Sequence, residues 1–239
     1  EGFDRYKPFS APREETDRWR EEARKAAEEA DVVVMPLGEH CFQSGEAASR
    51  AFIEIPEIQQ DLFRAVSEVN PNVVAVIFSG RPLDLRVISE RSRAVLSVWM
   101  PGMEGGRAII DVLTGTRTPS GKLPMSFPYC VGQVPVHYDS LMTGRPYRKG
   151  KPERYVSRYQ DIPADPLYSF GYGLTYTSME LSEVHLSKDE LMPGEEIEAS
   201  VTIKNTGKRE GTETVQLYLR DVTGSTARPV KQLKGLKRV

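Results

Sequence analysis

Three apolar runs separated by amphipathic stretches organise the first half of the chain. Residues 32–37 (VVVMPL), 73–78 (VVAVIF) and 94–100 (AVLSVWM) are continuous in β-branched and other apolar residues. That is the pattern of parallel strands covered on both faces. Before and between them the apolar positions fall at helical spacing. Residues 10–30 predict a helix, with Ser10 as its cap, Pro12 in its first turn and Glu14 and Glu15 at the positive end of its dipole. Its apolar stripe is Trp19, Ala23, Ala26, Ala27 and Ala30 on an otherwise charged cylinder. Residues 57–69 predict a second helix, with Ile58, Leu62, Ala65 and Val66 on one face. PLDLRVISER after Gly80 predicts another, and residues 104–115 a last one, ended by Gly115. Strand and helix in short alternation specify an α/β fold with a mostly parallel, doubly wound sheet.

The pattern then changes twice. Residues 116–173 are rich in Pro, Gly, Tyr and Arg, show little periodicity and end in LYSFGYG. A stretch of that length without elements is usually functional or wraps another surface. The tyrosines around LYSFGYGLTY suit stacking on a sugar or packing between domains. From Met179 the chain reads as short alternating strands: MELSEVHLS, EIEASVTIKNTG and ETVQLYLRDV, with MPGEE and NTGKREG as turns. This predicts an antiparallel sandwich of the fibronectin or immunoglobulin type, of which about three or four strands fit where about seven are usual. The division expected is an α/β domain at 1–173 and a truncated all-β domain at 174–239.

Composition narrows the function classes. Of 239 residues, 39% are apolar and 28% charged, enough to bury a core, and the net charge of −2 argues against a nucleic-acid partner. No apolar run approaches the roughly 18 residues of a membrane span. The opening EGFDRYKPFS has neither a starting Met nor the apolar core of a signal peptide, so a piece of a longer chain is expected. Cys41 and Cys130 are too few for a disulfide framework and read as small buried hydrophobes. His40, His137 and His185 form no ligand-spaced pair, so no metal and no cofactor is expected. A dyad of His40 with Cys41 is disfavoured if the segment is extended, because neighbours then point to opposite sides. PGMEGG and TPSGKLP lack the spacing and the following helix of a phosphate loop, which counts against a flavodoxin-like cofactor binder.

One stretch stands apart. Residues 38–50, GEHCFQSGEAASR, leave the carboxyl end of the first strand, where open α/β sheets place ligands. The loop is long for such a connection, where about 2–6 residues are usual, and Gly38 and Gly45 permit tight turns. It carries two carboxylates, Glu39 and Glu46. From the residues alone the loop is a candidate site or a solvated connection.

The ordered series GE…SGEAASR, IPEIQQDLFRAV, SGRPL, PGMEGGRAIIDVLTG, TPSGKLPMSFP, GQVPVHY, FGYGLTYT and KQLKG resembles the back half of family 3 glycoside hydrolases, most closely the bacterial β-glucosidases, across residues 31–239. The resemblance implies a retaining, exo-acting enzyme built from a (β/α)₈ barrel carrying an aspartate nucleophile, a six-stranded α/β sandwich and a fibronectin type III-like domain. It makes Glu46 the candidate general acid/base, with Glu39 in reserve. Gln43 and Ser44 are candidates for hydrogen bonds to sugar hydroxyls. Arg50 is a candidate to orient a carboxylate or to anchor the loop. Retention needs two carboxyl groups about 5–5.5 Å apart, and the partner of Glu46 would lie on the barrel, outside this sequence. The expected partners are a β-glucoside or oligosaccharide and the chain's own barrel, with a homodimer carried as an option and no nucleic acid or membrane. The resemblance fits a cytoplasmic or a secreted bacterial enzyme. A non-catalytic carbohydrate-binding or scaffolding region, and a β-xylosidase of the same family, are the alternatives.

Overall fold

A computed structural model describes residues 11–150 and 153–239, so the proposed Ser10 cap lies outside the described residues. Helix α1 (Arg13–Glu29) starts directly after Pro12, whose carbonyl accepts from Glu15 and Thr16. Its buried stripe is narrower than expected. Ala27 is buried and Ala23 packs against the core, while Trp19 and Ala26 remain exposed. Helix α2 (Glu57–Val69) buries Val66 of the predicted face and also Phe63, which that face left out, while Ile58, Leu62 and Ala65 are half-buried. Asn70, buried just past the end of α2, donates to the Ala27 and Ala30 carbonyls at 2.9 and 2.7 Å. One amide thus satisfies carbonyls that the end of α1 leaves open.

Strands β1 (Val33–Gly38), β2 (Val73–Phe78) and β3 (Ala94–Ser97) form a parallel sheet in that spatial order, with Val33 opposite Val73 and Val74 opposite Ala94. β2 is central and accordingly the most deeply buried. Pro36 is tolerated in β1 because that strand lies at the edge of the described sheet. The described residues supply three of the six strands that the resemblance implies. Helix α3 (Arg86–Arg91) is shorter than PLDLRVISER predicts, since Leu83 and Leu85 enter the core ahead of it and Asp84 between them bridges to Glu54. β3 stops before Trp99, which adopts a left-handed φ of 53° that no strand continues. Helix α4 (Gly105–Leu113) follows, and Gly115 beyond it takes φ 75°.

Among the described residues, 116–150 and 153–178 form no strand and no helix beyond the 3₁₀ turn Val131–Gln133, and part of this stretch packs on the core. Phe127 is buried against Trp99 and exchanges backbone hydrogen bonds with Tyr168. The Tyr168 hydroxyl lies 2.6 Å from that of Ser89, and Phe170 stacks on Tyr138 at 4.1 Å. These aromatic rings of the extension therefore pack between parts of the chain. The remainder is antiparallel: β4 (Met179–Leu181) with β7 (Ile203–Asn205), β5 (His185–Leu186) with β6 (Ala199–Ser200), and β8 (Thr214–Leu219) with β9 (Gln232–Arg238). That is six short strands rather than three or four, because the long alternating runs break and the Lys-rich β9 adds a pairing with β8. This part is joined to the α/β part by the Lys122–Glu213 ion pair at 2.9 Å and by the Gln216 amide donating to the Gly171 carbonyl.

Candidate active site

The three parallel strands deliver their following loops to one edge of the sheet. Gly38 opens the first loop. Its φ is 138°, and a Cβ there would overlap the Phe78 carbonyl of the neighbouring strand, so only glycine allows this close approach. The Gln59 side chain, from the first turn of α2, donates to the Gly38 carbonyl and accepts from its N–H. Loop departure is therefore fixed on both sides.

Residues 41–43 form a single 3₁₀ turn in which the His40 side chain accepts from Phe42 N–H and the Gln43 side chain accepts from His40 N–H. This turn corrects two expectations. Cys41 is exposed rather than buried. Because the backbone is turned and not extended, Cys41 Sγ also lies 3.6 Å from His40 Nδ1, on the same side. Cys130 is half-buried.

The two carboxylates of the loop have opposite environments. Glu39 is 0% exposed at its side chain and bound by two guanidinium groups, Arg50 at 2.8 Å and Arg81 at 3.0 Å. Gly80 N–H approaches the same carboxylate at 3.4 Å. Glu46 is exposed, in a turn closed by Ala48 N–H donating to the Gly45 carbonyl, with Gly45 at φ 112° and Ala47 at φ 56°. Among the described residues Glu46 has no hydrogen-bond or ion-pair partner, while a carboxylate such as Glu39, buried between cations, is committed to structure.

The other candidates sit around this turn. Gln43 is half-buried and its side chain is occupied by the His40 N–H. Ser44 is half-buried with its hydroxyl against Gly80, where a Cβ would overlap it. Arg50 also donates to the Glu54 carbonyl at 2.9 Å, so its guanidinium anchors the far end of the loop. Arg81 is the residue that pattern reading missed. It follows β2 in SGRPL, and its strand-end position was the available signal.

Two cavities flank the loop. One, of about 530 Å³, is lined by Arg50, Glu54, Arg64, Asp84 and Arg86. Within it Arg86 donates to Asp84, while Arg50 and Arg64 pair with Glu39 and Asp61 outside the lining; the hydrogen bond to Asp84 raises the Arg86 pKa above its ordinary value, against the opposing effect of burial. The other, of about 420 Å³, lies between Arg81, Met125, His137 and Phe170. Glu46 lines neither. No cluster of three or more His, Cys, Asp or Glu suited to a metal lies among the described residues.

Residues 5–176 match the model of the glycosyl hydrolase family 3 C-terminal domain. The chain belongs to glycosyl hydrolase family 3. Residues 213–239 match the fibronectin type III-like domain. Among family relatives, the periplasmic beta-glucosidase of Salmonella typhimurium is 50% identical over 219 residues, which is 92% of this chain and 29% of that protein. A beta-xylosidase of Formosa agariphila is 37% identical over 222 residues, 91% of this chain and 29% of that protein. A beta-glucosidase from Listeria innocua, solved in complex with isofagomine, superposes with a TM-score of 0.88 at 46% identity, covering 96% of this chain and 32% of that one. The chain thus spans under a third of the length of these family 3 relatives. No helix among the described residues is long and apolar enough to cross a membrane.

Proposed function

We propose that this chain is the acid/base-bearing part of a retaining, exo-acting β-glucosidase that removes terminal β-D-glucosyl residues. Glu46 is the general acid/base. The nucleophile is an aspartate on a barrel domain of the same protein that this sequence does not include. The observation that carries the reading is the contrast between the two loop carboxylates: Glu46 is exposed and, among the described residues, unpartnered on a pinned turn, and Glu39 is buried between two arginines.

The chemistry follows from that contrast. An exposed carboxyl group at the tip of a fixed turn can be brought over a sugar bound in a second domain. As an acid, Glu46 gives its proton to the glycosidic oxygen while the barrel aspartate attacks the anomeric carbon. As a carboxylate, it then takes a proton from the water that hydrolyses the glycosyl-enzyme. The carboxylate of Glu39 is occupied by two guanidinium groups, and its role is to fix the loop. Glucose is the favoured glycone because the relatives from Salmonella and Listeria, the more identical ones, are named beta-glucosidases; xylose is the second reading, from the Formosa relative.

The test uses the full-length enzyme. Glu46→Ala is expected to lower kcat/KM on an alkyl β-glucoside by about 10²–10⁴-fold, the usual contribution of general acid catalysis. The loss on a dinitrophenyl β-glucoside, whose leaving group needs little protonation, is expected to be much smaller. Equal losses on both substrates would remove Glu46 from the acid role. The chain by itself, lacking the barrel, is expected to release no glucose from either substrate.

A further inference from the structure

We propose that Arg81 is a positioning residue for the acid/base, acting as a clamp on the turn that carries Glu46; this rests on the reading of Glu46 given above. Arg81 comes from the loop after β2, 33 to 38 positions from the ends of the turn in sequence, and its guanidinium reaches across to it. Nη2 donates to the Gln43 carbonyl at 2.6 Å and to the Ala48 carbonyl at 2.7 Å. Those two carbonyls bracket residues 44–47, so one nitrogen holds both ends of the turn. Nε of the same group lies 3.0 Å from Glu39 Oε1, where the loop begins. Three points of the loop therefore converge on one planar cation.

The surroundings explain why the clamp is rigid. The Arg81 side chain is 23% exposed and its partner Glu39 is fully buried. A second arginine, Arg50, ties Glu39 to the Glu54 carbonyl on the other side. The Arg81 carbonyl accepts from the Ser79 hydroxyl, at the buried end of β2. Glu46 itself has no partner among the described residues, so its location depends on the backbone of its turn. That backbone includes a left-handed Ala47, a conformation that persists only where neighbours impose it. Arginine is required, since its fixed fork of donors serves the carboxylate and the two carbonyls at once, whereas a lysine ammonium is a single point of charge on a flexible stem.

The experiment compares Arg81→Lys, which keeps the charge beside Glu39, with Glu46→Ala and with the double variant, all in the full-length enzyme. Arg81→Lys is expected to lower kcat/KM on an alkyl β-glucoside by about 10–100-fold, the scale of a misplacement near 1 Å, and to leave the dinitrophenyl β-glucoside near wild type. Placed on Glu46→Ala, the same change is expected to add no further leaving-group-dependent loss, because the group it positions is gone. A structural role alone would lower both substrates together, in step with the melting temperature, and would overturn the inference while Glu46→Ala still discriminated between leaving groups. A Glu46→Ala variant that did not discriminate would overturn the acid/base reading, and this inference with it.

Discussion

At the scale of single residues, the loop depends on places where a side chain has no room. Gly80 lies against the Ser44 hydroxyl, so Gly80→Ala must push Ser44, and with it the start of the Glu46 turn, off the sheet edge. Overpacking of this kind costs typically about 1–3 kcal/mol. Gly80→Ala is therefore expected to lower the stability of the full-length enzyme and its rate on alkyl β-glucosides, and Ser44→Gly in the same chain is expected to restore much of both. Denaturant unfolding and kcat/KM on the two variants check this; a double variant as poor as the single would show that the strain lies elsewhere. The loop that carries Glu46 was legible as a candidate because it holds an ordered motif at a strand end. The roles of Arg81 and Glu39 were not, since they are defined by contacts between residues that sequence spacing keeps apart: Arg81 binds carbonyls at 43 and 48, which carry no side-chain identity for a pattern to reveal.

At the scale of elements, period and propensity carried most of the α/β part. The bounds of α2 agree with the predicted 57–69, because a proline precedes it and its apolar spacing is unbroken. Phe63, on α2, is fully buried in the core cluster. Phe63→Ala is expected to cost about 3–5 kcal/mol, read as a lowered unfolding midpoint, with the leaving-group dependence of any remaining activity unchanged. A cost under about 1 kcal/mol would mean that the layer repacks and that the core has been misjudged. The elements misread from sequence failed for local reasons. β3 ends early because Trp99 turns left-handed, and α3 starts late because Leu83 and Leu85 enter the core around the Asp84–Glu54 bridge. In the antiparallel part none of the fully buried apolar side chains is found, so alternation there specifies facing without fixing where each strand stops.

At the scale of the molecule, the joint between the α/β part and the β8–β9 ribbon is polar and specific. Lys122 and Glu213 are 17% and 14% exposed and 2.9 Å apart, and Lys122 also donates to the Gly173 carbonyl. Removing one partner strands the other; a fully buried pair loses about 3–5 kcal/mol in this way, and less is expected at this partial burial. Lys122→Met is therefore expected to destabilise more than Lys122→Met with Glu213→Leu, a difference that thermal unfolding of the two variants measures directly. The reverse order would show that the pair contributes attraction beyond its desolvation cost. The α/β part that carries the Glu46 loop is thus tied to the β8–β9 ribbon by paired polar groups.

The most direct test of Glu46 is chemical rescue in the full-length enzyme. With a dinitrophenyl β-glucoside, Glu46→Ala should form the glycosyl-enzyme and then stall, because no base activates water. Added azide needs no base, so it should raise the turnover rate and yield β-glucosyl azide, identifiable by NMR. A rate indifferent to azide, with glucose as the sole product, would contradict the assignment of Glu46.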